Sequence, residues 1–160
     1  MLQEKPGFEQ FLEAVDTANR AFVQDLHNYL LENGCKITVE EKKSGWFASY
    51  KHITSRKSIV NILFRKKGMF VRIYGELAGN YHDFLSSLPA DMLEAIGGAG
   101  TCKRLVLNEC SPKCSGYDFT IGGKRFQKCK YGCFEFLVTQ ESGPYIKSFA
   151  EQELSQRTML

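Results

Sequence analysis

Three consecutive segments of the chain have the composition of β-strands, and only short turns separate them. Trp46 to Ile53, Ser58 to Lys66 and Met69 to Tyr74 are rich in aromatic and β-branched residues. Just before them, polar and apolar residues alternate from Lys36 to Glu41, which is also typical of a strand. Connections this short join antiparallel strands, because a parallel crossover needs a dozen or more residues. The sequence therefore predicts an antiparallel β-meander.

Helical patterns flank this meander on both sides. Apolar residues recur every three or four positions over residues 8–32, which predicts one long amphipathic N-terminal helix, closed by Asn33-Gly34. Short helices are expected over residues 80–88 and 89–96, and a C-terminal helix over 143–156. The predicted fold class is α+β.

The length of 160 residues fits a single domain. We divide it into residues 8–96 (helix, meander and short helices), a Cys-rich hairpin segment over 101–140, and the C-terminal helix. The chain holds no stretch of about 18 apolar residues and no apolar signal region near its start, so we expect a cytoplasmic protein without a membrane partner. In that compartment cysteines are thiols or metal ligands rather than disulfides.

Five of the six cysteines lie between residues 102 and 133. Two pairs, Cys110-x3-Cys114 and Cys129-x3-Cys133, flank a hairpin whose turn is predicted at Gly122-Gly123. That turn would place Cys114 about midway between Cys129 and Cys133, so that the paired thiolates could hold zinc. The common zinc spacing is x2 rather than x3, and no histidine joins the set, so buried apolar thiols and redox-active thiols stay open as alternatives. Cys102 and Cys35 are expected to be buried apolar thiols.

The meander also predicts one aromatic and basic sheet face. A tight turn at Lys67-Gly68 places Arg65, Arg72 and Tyr74 on the side opposite the apolar core. Extending the same alternation across residues 54–57 adds Trp46 and Tyr50 to that side. Arginines among aromatic rings can bind a carboxylate or a phosphate. The alternatives are that the arginine stems simply cover the rings, or that a register slip of one residue exchanges the faces.

Charge is unevenly distributed along the chain. Residues 42–75 hold nine Lys or Arg side chains and no Asp or Glu, although the whole protein carries a net charge of only +3. Such a run favours an anionic partner. Since these basic side chains divide between turns and alternating strand positions, we rank a small anionic molecule ahead of nucleic acid.

No nucleotide-binding, metalloprotease or serine-hydrolase motif is present, and the three histidines are scattered, so we expect a protein that is not an enzyme. The first helix, the strand Gly45-Trp46-Phe-Ala-Ser-Tyr-Lys51, and the segments Asn61-Ile-Leu-Phe-Arg65 and Val71-Arg-Ile-Tyr74 resemble the small uncharacterised YdhG-like domains over residues 8–96. The resemblance implies a compact α+β fold with an antiparallel sheet packed by helices. It implies no activity.

The sequence therefore predicts a non-catalytic binding or sensor domain for a small anionic or aromatic ligand, bound by Trp46, Tyr50, Arg65, Arg72 and Tyr74. The second prediction is a nucleic-acid-binding protein with a zinc-stabilised Cys-rich segment. Its zinc ligands would be Cys110, Cys114, Cys129 and Cys133.

Overall fold

A five-stranded antiparallel sheet forms the centre of the protein. The computed structural model describes residues 6–111, 114 and 116–159. The sheet has the order β1-β2-β3-β4-β7, with strands β1 Cys35–Lys42, β2 Gly45–His52, β3 Lys57–Arg65, β4 Gly68–Ile73 and β7 Glu135–Leu137. A separate hairpin pairs β5 Tyr117–Ile121 with β6 Lys124–Lys128. The predicted antiparallel meander is confirmed.

Helices precede, interrupt and follow this sheet. They are α1 Phe8–Ala14, α2 Thr17–Glu32, a 3-10 turn at Ala78–Tyr81, α3 His82–Ser86, α4 Ala90–Gly98, α5 Lys103–Leu107 and α6 Ser142–Thr158. The predicted α+β class, with helices at both ends, is confirmed. Among the described residues, no helix is both long and apolar enough to cross a membrane.

The predicted single helix over residues 8–32 is in fact two helices. Val15 and Asp16 adopt extended backbone conformations between α1 and α2. The side chain of Arg20 donates hydrogen bonds to the carbonyls of Val15 and Glu13, at 2.9 and 3.1 Å, and so satisfies acceptors that the break leaves free. The buried side chain of Val15 keeps the apolar period continuous across the break, which is why the pattern alone did not reveal it.

Helices α1, α2 and α6 all contact the same face of the sheet, which we call the core face. Ring contacts join Phe11 of α1 to Phe64, and Phe149 of α6 to Phe136. The cross-strand row Ala48, Ile62, Val71 and Phe136 is almost fully buried beneath these helices. The hydrophobic effect of this burial holds the two layers together.

A β-bulge in β3 overturns part of the predicted face. Lys51 pairs with Ser58 but Tyr50 pairs with Val60, so Ile59 is an extra residue opposite β2. Without the bulge, Tyr50 would lie on the side of Arg65 and Arg72. The extra residue exchanges the faces of β2, because side chains alternate with a period of two. The prediction that Trp46 and Tyr50 lie on the arginine face is therefore wrong: both lie on the core face.

The β3–β4 turn is Lys66-Lys67, one residue before its predicted position, which shifts the pairing register by two residues and has no effect on the faces. Arg65 pairs with Gly68, whose φ is +137°, and Phe64 pairs with Met69 rather than with Val71. An even shift preserves the alternation. In the β5–β6 hairpin the predicted turn and register are both confirmed: Gly122 and Gly123 have φ of 56° and 82°, and Tyr117 pairs with Lys128.

Candidate functional site

The face of the sheet opposite the core face, here called the open face, carries an apolar row that crosses four strands. Phe47 of β2 pairs with Leu63 of β3, Leu63 with Phe70 of β4, and Phe70 with Leu137 of β7. Their side chains point to the same side of the sheet because directly paired residues share a face. The row ends at Glu40, the partner of Phe47 in β1.

This apolar row does not belong to the hydrophobic core. Phe47, Leu63 and Phe70 are only partly buried, and Leu137 is 39% exposed. None of the four belongs to the buried core cluster or to the partly buried side chains that pack against it. Two phenylalanines and two leucines side by side on one exposed sheet face form a contiguous apolar patch, which is typical of an interaction surface.

Arg65 and Arg72 share the open face, as predicted, but they bind a carboxylate of the protein itself. Both oxygens of Glu135 accept from Arg65, each at 3.0 Å. Glu135 Oε1 also accepts from Nε and Nη2 of Arg72, at 3.2 and 2.8 Å. The anion position that the sequence predicts is therefore occupied by Glu135, whose strand joins β4 from more than 60 residues further along the chain.

Of the other three residues of the predicted ligand site, two are separated from these arginines. Tyr50 is fully buried on the core face, its hydroxyl lies 2.9 Å from Nδ1 of His27, and burial raises the pKa of Tyr50. Trp46 packs against the hydrophobic core. Tyr74 stays beside Arg72, with which its side chain interacts, and it accepts a hydrogen bond from Asn61 and makes an edge contact with the ring of Tyr131. Of four cavities of about 300 to 540 Å³ formed by described residues, none is lined by any of the five.

Basic side chains surround the apolar row on the open face. Lys42, Arg65 and Arg72 are two residues along the strands from the row, and Lys36 and Lys51 are four residues away on the same face. The carboxylates of Glu40 and Glu135 lie on this face as well. The Nζ of Lys42 lies 4.2 Å from the centre of the Phe47 ring. Lys43, Lys66 and Lys67 are exposed in the two turns at one end of the sheet. The open face is thus both aromatic and positively charged.

Four cysteines line a second candidate site, a cavity of about 540 Å³ that we call the thiol cavity. Its wall includes Cys102, Cys110, Cys114 and Cys129. Lys103, Lys130 and Tyr131 also line it, and no carboxylate of a described residue does. Cys110 is exposed, Cys114 and Cys129 are intermediate, and Cys102 is buried.

The structure brings together only three of the four cysteines predicted as zinc ligands. Cys133 is fully buried in the hydrophobic core, away from the wall of the thiol cavity, and burial raises the pKa of its thiol. Cys102, which the sequence assigned to an apolar role, lines the cavity in its place. No group of three or more His, Cys, Asp or Glu side chains within residues 6–111, 114 and 116–159 is spaced to hold a metal ion as it stands.

Sequence reasoning missed Phe47 and Cys102 for different reasons. Phe47 was assigned to the wrong face because no residue type marks the bulge at Ile59. Cys102 lies eight residues before Cys110, outside either x3 pair, so its spacing carries no zinc signal. Its position depends on a backbone pairing between residues 100–102 and 127–129 that the sequence does not indicate.

Comparison of the chain with protein-family models, with curated proteins and with solved structures finds no match in any of the three. The resemblance to YdhG-like domains stays a prediction.

Proposed function

We propose that this protein is a non-catalytic cytoplasmic domain that binds single-stranded nucleic acid on its open face. The observation that carries the proposal is the apolar row Phe47–Leu63–Phe70–Leu137, which lies outside the core and is bordered by basic side chains. Single-stranded nucleic acids bind to surfaces of this chemistry, because bases stack on aromatic rings while cations attract the phosphates.

The spacing of the two rings suits bases that are separated by one nucleotide in an extended strand. Phe47 and Phe70 lie on strands separated by one other strand, so their backbones are about 10 Å apart. Leu63 lies between them, and its apolar side chain can contact the base or sugar that bridges the two rings. A flat, partly exposed row of this kind offers stacking to single-stranded bases, whereas a duplex hides the faces of its bases.

The small anionic ligand that ranked first in the sequence has less support on this face. A small molecule is ordinarily bound in a concave site that covers most of its surface, and the four cavities of about 300 to 540 Å³ described above lie elsewhere. Glu135 also competes for the two arginines that would bind its charge. A polynucleotide needs no pocket, and its phosphates can reach Lys36 and Lys51 on the strands β1 and β2, away from Glu135 on β7. They can also reach Lys42, whose pair with Glu40, at 3.7 Å, is exposed to solvent.

Fluorescence anisotropy with a labelled ten-nucleotide oligouridine tests the proposal. We expect saturable binding at physiological salt, with log affinity falling linearly as log salt concentration rises. Phe47→Ala and Phe70→Ala should each weaken binding about 5- to 150-fold, since stacking of one base on an aromatic ring contributes about 1–3 kcal/mol.

Tyr145→Ala is the matched control, because Tyr145 is an aromatic residue of α6 that is 38% exposed and lies away from the open face. Its affinity should equal that of the wild-type protein. Equal affinities for wild type, Phe47→Ala and Phe70→Ala would reject the proposal. Preferential binding of a duplex of the same length would reject it as well.

A further inference from the structure

We infer that the thiol cavity is a zinc site whose fourth ligand is Cys102 rather than Cys133. The inference goes beyond the proposed function and does not depend on it, because it concerns a different part of the fold. It rests on the four cysteines that line one cavity, Cys102, Cys110, Cys114 and Cys129.

Backbone hydrogen bonds hold two of these cysteines side by side. The amide of Cys102 donates to the carbonyl of Gln127 at 2.9 Å, and the amide of Cys129 donates to the carbonyl of Gly100 at 2.8 Å. Between these bonds Thr101 and Lys128 form an antiparallel bridge. Alternation on either side of that bridge turns Cys102 and Cys129 toward the same side, where both line the cavity.

The packing around Cys102 fixes its position further. A side chain at Gly116 would collide with the sulfur of Cys102, so glycine at this position lets the chain pass close to that thiol. Gly116 has a φ of +63°, a conformation that glycine adopts at low cost. The backbone at Gly116 therefore lies close over Cys102, two residues after Cys114. Cys110 and Cys114 line the same cavity as Cys102.

Two lysines stand in the cavity wall, together with no carboxylate of any described residue. Lys103 and Lys130 give the wall a positive charge. Zinc binding breaks four S–H bonds and forms four Zn–S bonds. It releases four protons to the solvent, transfers no electrons, and leaves a centre with a charge of −2 that the two lysines partly neutralise.

Cys133 is a poor ligand for the same ion. It is fully buried among apolar side chains, and ionising it there would place a charge in the core. Ionising the thiols of the thiol cavity places no charge in the hydrophobic core. It does require the four sulfurs to approach within about 2.3 Å of one ion, closer together than they stand in the structure.

Native mass spectrometry of the full chain, loaded with one equivalent of zinc chloride and then competed with a chromophoric chelator, distinguishes the two ligand sets. We expect one zinc per chain in the wild-type protein and in Cys133→Ala. Loss of an outer-shell partner costs about 10- to 100-fold in metal affinity. Because Cys102 is a direct ligand, Cys102→Ala should reduce the affinity for zinc by more than that.

Cys110→Ser provides a second variant in case Cys102→Ala fails to fold, because Cys110 is exposed and its replacement leaves the core intact. It should lose affinity to a similar degree, while Cys35→Ala, which removes a thiol remote from the cavity, should not. Zinc retained by Cys102→Ala or Cys110→Ser, zinc lost from Cys133→Ala, or no stoichiometric zinc in the wild-type protein would each overturn the inference.

Discussion

Replacing Glu135 by glutamine tests the assignment of Arg65 and Arg72 to one internal carboxylate. The side chains of Arg72 and Glu135 are 16% and 14% exposed, so their pair is shielded from water, and hydrogen bonds to charged groups of this kind contribute about 1.5–3 kcal/mol. Arg65 is 48% exposed, and its pair with Glu135 contributes at most about 1 kcal/mol after solvent screening. Because glutamine can still accept one hydrogen bond, we expect Glu135→Gln to lower the free energy of unfolding by about 2–3 kcal/mol.

Urea denaturation followed by circular dichroism measures this difference, and a thermal melt should show a decrease of roughly 4–12 °C. Arg65→Gln is the control, because it removes only the half-exposed partner and should cost no more than about 1 kcal/mol. A Glu135→Gln variant no less stable than Arg65→Gln would refute the assignment. The same variant should bind oligouridine more tightly than wild type, since it frees two arginines on the open face.

Three further predictions concern packing and pH. Burial lowers the pKa of His27 below its usual 6.5. The protein should therefore be fully stable above about pH 6.5 and lose stability as the pH falls through the lowered pKa. In denaturation curves measured between pH 7 and 5, His27→Gln should show a smaller loss of stability than the wild-type protein. Gly116→Ala should cost more stability than Gly123→Ala, because both positions have positive φ but only a side chain at Gly116 meets Cys102; equal losses would contradict the packing described. Deleting Ile59 removes the bulge and should abolish cooperative unfolding, whereas a variant of unchanged stability would show that the bulge is not needed.

Local sequence signals predicted most of the secondary structure, because short-range physical rules decide it. Gly122-Gly123 was sufficient to set the register of the β5–β6 hairpin, since both positions require positive φ. The alternation in β3 and β4 was sufficient to place Arg65 and Arg72 on one face, even though the predicted turn was one residue late and the predicted register was shifted by two residues. An error that shifts the register by an even number of residues leaves each side chain on its predicted face of the sheet.

The candidate sites were predictable only in part, because each depends on contacts between distant segments. The pairing of β7 with β4 brings Glu135 to Arg72, and no local pattern specifies which strand a three-residue segment will join. The bulge at Ile59 moved Phe47 to the open face and Tyr50 to the core, although Ile59 and Val60 look like ordinary strand residues. Predicting either feature requires the register of the whole sheet.

Amide chemical-shift mapping of isotopically labelled protein titrated with the ten-nucleotide oligouridine locates the nucleic-acid-binding face residue by residue. We expect the largest shift changes on Phe47, Leu63, Phe70 and Arg72 of the open face, with Lys36, Lys42 and Lys51 at its border. We expect small changes on the helices α1, α2 and α6, which cover the core face. Shift changes centred on those helices or on the thiol cavity, with β2, β3 and β4 unperturbed, would contradict the proposal.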